Sequence, residues 1–141
     1  MAAERRASDR ILNMARSVDE RPIILIVENE YVVRMATAEA IRDAGFDVVE
    51  ATNSDEALAA VEGRQGIRVL FTEIEMQHSR SGAKLAREVS RRWPQIRIIV
   101  TSGRFALREL KLPTGSMFFQ KPYTFDEIIS MLRALTGSQH D

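Results

Sequence analysis

Residues 23–51, IILIVENEYVVRMATAEAIRDAGFDVVEA, decide the fold. The run from Ile23 to Val27 is apolar without a break, the pattern of a strand covered on both faces of a parallel sheet. A polar turn, Glu28-Asn29-Glu30, follows at once. Val33, Ala36, Thr37, Ala40, Ile41 and Ala44 then recur at helical spacing, and Gly45 stands where such a helix would stop. Residues 46–51, FDVVEA, return to β-formers. Strand, helix and second strand in so short a stretch make a βαβ unit, whose two strands run parallel.

The alternation continues to the end of the chain. Residues 53–63 read as a helix with Asn53 or Ser54 as cap, Asp55 or Glu56 in its first turn and Gly63 at its end. Residues 67–73, IRVLFTE, are a third strand, and 81–93 a third helix that stops before Pro94. Residues 96–102, IRIIVTS, are a fourth strand, 103–110 a short helix, and 115–123 a fifth strand running into Lys121-Pro122. Residues 124–137 form a last helix between Thr124 as cap and Gly137 as stop. The expectation is an α/β protein with a doubly wound five-stranded parallel sheet.

Composition narrows the function. At 141 residues, 45% hydrophobic and 28% charged, the chain suits one domain. Lys and Arg number 20 and so do Asp and Glu, so no single-sign field draws nucleic acid or an anionic membrane. The absence of Cys removes thiolate metal sites and cysteine nucleophiles, and the two His, His78 and His140, are too few for a typical zinc site. No apolar run approaches a membrane span and no signal core opens the chain, so a cytoplasmic location is expected.

In open sheets of this kind chemistry gathers at the carboxyl ends of the strands. The first strand delivers Glu28, Asn29 and Glu30 there, the third Thr72 and Glu73, the fourth Thr101 and Ser102, the fifth Lys121. No glycine-rich phosphate cradle follows the first strand, so a small anion or a metal suits the edge better than a nucleotide.

This ordered set resembles the receiver domain of two-component response regulators over about residues 22–136. The resemblance implies a flavodoxin-like (βα)5 fold and a phosphorelay role, with a histidine kinase or phosphotransfer protein upstream and a protein target downstream. It places Glu28 and Asn29 on the acidic pair that holds Mg2+, Glu73 on the phosphoacceptor and Thr101 on the hydroxyl position. Lys121 falls on the lysine, and Phe118, three residues earlier, on the switch aromatic. In that chemistry an aspartyl nucleophile takes a phosphoryl group from phosphohistidine while cations neutralise the transferring oxygens.

Three positions depart from the pattern. Glu73 is one methylene longer than Asp, and about an ångström of misplacement can cost roughly 100-fold in rate. Asn29 puts an amide where a hard cation favours carboxylate, which weakens any Mg2+ site. Gln77 stands where many receivers carry Pro. Glu73 is therefore a tolerated acceptor, a carboxylate standing in for phosphate against Thr101 and Lys121, or half of a structural ion pair with Lys121 in a docking module. The expected function is a single-domain, atypical response regulator, non-enzymatic, with impaired or altered phosphorylation at Glu73. The alternatives are an unphosphorylated scaffold and a small phosphatase or phosphotransferase using Glu73, for which Glu75 has the spacing of a second acid.

Other residues read as ordinary. Trp93 is packing, His78 an exposed loop residue, and Arg87, Arg91 and Arg92 the wet face of the third helix. Of Phe118 and Phe119, alternation puts one in the core and leaves the other to rotate. Residues 1–21 form an arm outside the receiver domain at 22–136, with a tail at 137–141. Ile11, Leu12, Ala15 and Val18 make an amphipathic stripe within residues 4–18. Val32 and Met35 lie on a stripe of the first core helix next to the sheet-facing one. These four apolar residues, Ile11, Leu12, Val32 and Met35, suggest a homodimer or partner surface.

Overall fold

The computed structural model describes residues 21–76, 81–103 and 111–137. Its elements, in order, are β1 (Ile23–Val27), α1 (Tyr31–Asp43), β2 (Asp47–Ala51), α2 (Ser54–Gly63), β3 (Ile67–Glu73), α3 (Ser81–Arg92), β4 (Arg97–Ser102), β5 (Met117–Gln120) and α4 (Phe125–Thr136). The expected arm helix with Ile11 and Leu12, the loop with Gln77 and His78, residues 104–110 of the expected short helix, and the tail from residue 138 lie outside the described residues.

The five strands pair in the order β2-β1-β3-β4-β5, all parallel. The chain steps from β1 outward to β2, then crosses back over β1 to β3. Right-handed crossovers in opposite directions put helices on opposite faces of the sheet. α2 and α3 cover Leu25, Val27, Leu70, Ile98 and Val100; α1 and α4 cover Ile24, Ile26, Val69, Phe71 and Ile99. Alternate residues of each strand thus feed two cores, which is why IILIV is apolar throughout.

The helix ends follow their local chemistry. Asn53, rather than Ser54, caps α2, its Oδ1 accepting from the Glu56 amide at 2.8 Å. Thr124 and Glu127 form a reciprocal capping box on α4, and Gly137 closes it in the left-handed conformation at φ 69°.

One expected face is corrected. Ala36 does not turn to the sheet on α1 but is exposed, and Ala38 is buried with Thr37 and Ile41. In a helix this rich in alanine the small side chains fit either side, so spacing alone left the rotation open. Arg34, not an apolar residue, extends the inward stripe, with a side chain 12% exposed and paired to Glu50 of β2. Val32 and Met35 do face water, at 70% and 46% exposure.

Candidate functional site

Register assembles the carboxyl edge. Glu73, last in β3, is the Cα partner of Thr101 in β4, and Ser102 pairs with Gln120, the residue before Lys121. The Lys121 amide donates to the Ser102 carbonyl at 3.0 Å, which ties the lysine to the same level. The Lys121-Pro122 peptide bond is cis.

The Glu73 carboxylate is nearly buried and uses one oxygen twice. Its Oε2 accepts from the Thr101 hydroxyl at 3.2 Å and pairs with Lys121 Nζ at 2.5 Å. Lys121 Nζ also lies 4.0 Å from Glu28 Oε1. Glu28 is held from below and behind: its amide donates to the Ala51 carbonyl, its Oε2 accepts from the Glu30 amide, and its own carbonyl accepts from Arg34 Nη1 at 2.9 Å. Burial pushes the Glu73 carboxyl above the usual carboxylate range although the Lys121 hydrogen bond pulls the other way. Burial pulls Lys121 down, but its bond to Glu73 and the charges of Glu73 and Glu28 win and hold its ammonium up.

Gly82 explains why the edge is so closely packed. A Cβ there would fall 1.8 Å from the Glu73 carbonyl oxygen and 2.7 Å from Ile74 Cα, and the Gly82 amide donates to the Ile74 carbonyl at 2.9 Å. Only a residue without a side chain lets the first turn of α3 lie on the backbone that carries Glu73.

Of the residues singled out in the sequence, Glu28, Glu73, Thr101 and Lys121 come together. Asn29 is exposed. Phe118 is half-buried against the α2/α3 core, and Phe119 is half-buried against the opposite core. Glu75 meets Ser102, whose hydroxyl donates to it at 3.1 Å. Sequence reasoning missed Arg34, Gly82 and Tyr123. Tyr123 stacks edge-on with Phe71 and Phe119, and burial raises its hydroxyl pKa.

Receiver domains typically use Mg2+ at this edge. The donor set here does not make such a site: no three His, Cys, Asp or Glu converge among the described residues. Asn29 is exposed, and the Lys121 ammonium already lies within 4.0 Å of both carboxylates. A fixed side-chain cation occupies the place where the two acids meet.

Fold and edge define a flavodoxin-like α/β module with an acid, a hydroxyl and a lysine convergent at the switch point of its sheet. The sequence pattern of the response regulator receiver domain matches residues 24–133, and the chain belongs to that family. Among curated proteins it is 27% identical over 138 residues to the Sensor kinase CckA of Brucella abortus, covering 94% of this chain and 14% of that protein. It is 26% identical over 115 residues to a putative response regulator, NtrX-like, of Rickettsia typhi, covering 78% and 24%. The chain thus spans a small part of these relatives' length.

Among solved structures, a response regulator receiver protein from Sinorhizobium medicae superposes with TM-score 0.75 at 24% identity, covering 86% of this chain and 98% of that one. The receiver domain of the hybrid histidine kinase CckA gives 0.66 at 26% identity, covering 80% and 97%.

Proposed function

We propose that this receiver takes its signal from a histidine kinase or phosphotransfer protein, passes it on through protein contacts, and is held by Glu73 near the form that phosphorylation would produce. The observation that supports this is the double engagement of Glu73 Oε2 by Thr101 and Lys121. In the family pattern these two groups await an acidic oxygen on a transferred phosphoryl group, and here the longer side chain supplies one from within. A single carboxylate carries less charge than a phosphate, so the bias is partial. Glu73 is at the same time a constrained nucleophile, because one of its two carboxylate oxygens is held by both Thr101 and Lys121.

The chain acts as a signalling module rather than as a turnover enzyme. Glu75, the acid with the spacing for a second catalytic carboxylate, accepts from the Ser102 hydroxyl at 3.1 Å. Among the described residues no helix is long and apolar enough to cross a membrane.

Intact mass after incubation with Mg2+ and acetyl phosphate, or with a phosphorylated kinase, tests the reading. Wild type is expected to stay unlabelled, and the Glu73→Asp, Asn29→Asp double variant to gain a phosphoryl group. A phosphate adduct on wild type that disappears in Glu73→Gln makes Glu73 a working acceptor and overturns it.

A further inference from the structure

We infer that the Lys121 ammonium is the resident cation of the Glu28 and Glu73 carboxylates, a built-in counter-ion that keeps divalent ions from the wild-type edge. Its Nζ lies 2.5 Å from Glu73 Oε2 and 4.0 Å from Glu28 Oε1, and among the described residues no other cation comes within 4.0 Å of either carboxylate. The Glu28 and Glu73 side chains are 10% and 9% exposed, the lysine 36%. The two acids feel each other: beyond burial and the Lys121 bond, the charge of Glu28 pushes the Glu73 carboxyl up further. Two like charges so nearly buried need a positive partner, and the chain supplies it.

Geometry and charge both oppose exchanging that partner for a metal. Mg2+ asks for oxygen ligands at about 2.0–2.1 Å in a near-octahedral array. An ammonium has three N–H donors and no acceptor, so Lys121 cannot join such a shell. If it leaves, its bond to Glu73 is lost. If it stays, a monovalent and a divalent cation share two carboxylates, and a surplus of one negative charge becomes a surplus of one positive.

The backbone around both partners is tied down. The Glu28 Oε2 accepts from the Glu30 amide at 3.2 Å, and its carbonyl accepts from Arg34 Nη1 at 2.9 Å. Arg34 is itself anchored through Nε to Glu50 Oε1 at 3.2 Å. The Lys121 amide donates to the Ser102 carbonyl at 3.0 Å, so the fold sets where the ammonium starts from. Asn29, neutral beside Glu28, adds no charge to the balance. Asn29→Asp would add one and make room for a divalent ion, in line with the labelling expected of the double variant. This inference goes beyond the proposed function, which uses Lys121 only as a partner of Glu73 Oε2.

Mn2+ is the probe, because it favours the same oxygen ligands as Mg2+ and its paramagnetism erases the amide signals around it. In the 15N-labelled full chain, Mn2+ up to millimolar concentration is expected to leave the Glu28, Glu73 and Thr101 amide signals intact. Lys121→Met, which drops the charge, is expected to lose them, and Lys121→Arg to keep them. Adding Glu28→Gln to Lys121→Met should restore them, which separates this site from exposed acids elsewhere. A second reading needs no lysine variant: the 15Nζ resonance of Lys121 is expected to hold its position under Mg2+ and to shift in Glu28→Gln. Loss of the wild-type amide signals overturns the inference, as does a folded Lys121→Met chain that stays blind to Mn2+, or a Lys121 resonance that ignores Glu28→Gln. A wild-type chain that binds Mn2+ here yet stays unlabelled by acetyl phosphate overturns this inference and leaves the proposed function standing.

Discussion

Glu73 lays a single oxygen, Oε2, against both Thr101 and Lys121, from a side chain one methylene longer than Asp. The burial that accompanies this reach carries a pH signature. Its folded pKa is raised, so the folded protein binds this proton more readily than the unfolded chain, whose value is about 4.3. Stability contributed by the neutral acid therefore grows as pH falls through the raised folded value and is complete below the unfolded one. Lys121 has the same sign of consequence in a more alkaline window: its raised value adds stability that is complete below the ordinary lysine range and is lost as pH rises through the folded value. Urea denaturation of wild type against Glu73→Gln should show wild type gaining relative stability on acidification across the upper carboxylate range. A difference that stays flat with pH would show that burial does not govern the group. Gly82 gives a sharper steric case. Gly to Ala in a helix normally stabilises by up to about 1 kcal/mol. Here the new methyl would meet backbone at 1.8 Å, and overpacking costs typically about 1–3 kcal/mol. The clash wins, so Gly82→Ala should lower the denaturation midpoint and shift the Glu73 amide resonance; a raised midpoint would mean that α3 does not lie on β3.

Among the elements, α4 is the one whose ends are most fully specified by side chains. Thr124 and Glu127 satisfy each other's backbone donors, and both are exposed, so the box contributes through capping alone. Thr124→Ala is expected to cost about 1 kcal/mol, read as a lower thermal midpoint with Thr124→Ser close to wild type; a silent Ala variant would show that packing of Ile128 and Leu132 alone holds the helix. The same elements show what a reader of the chain can and cannot obtain from it. β3 and the caps of α4 were legible to the residue, because apolar runs and capping chemistry are local signals. β5 is shorter than the apolar stretch around it suggests, since only residues 117–120 find a partner in β4. The rotation of α1 was not legible: alanines carry no directional information, and Arg34 turns inward for the sake of Glu50, sixteen positions further along. At the edge, Glu73, Thr101 and Lys121 could be named from order alone, but the sharing of one carboxylate oxygen depends on register and is a property of the assembled sheet. Gly82 was hidden for a related reason, since a glycine near a helix start reads as a loop residue until its neighbour's backbone is in place.

On the scale of the molecule, the sheet is a partition with a core on each side, and the three middle strands β1, β3 and β4 belong to both. Ile24 and Leu25, or Val69 and Leu70, are consecutive residues of one strand that serve opposite cores. Damage on one face must therefore reach the other through strand positions that cannot move independently. Trp93, the chain's single Trp, packs against the α2/α3 core and stacks under Arg92 at 4.3 Å, so its fluorescence reports that face. Leu132 is fully buried in the opposite core. Leu132→Ala removes buried methyl groups at a cost of about 2–5 kcal/mol, and if the partition couples the cores this loss is shared by the whole domain. Unfolding followed by Trp93 fluorescence and by far-UV circular dichroism should then shift together and stay a single transition, although the mutation lies across the sheet from the probe. A Trp93 midpoint that stays at the wild-type value while the dichroism splits in two would show that the faces unfold separately. In that event the Glu73 edge, built on β3 and β4, would rest on the α2/α3 core alone.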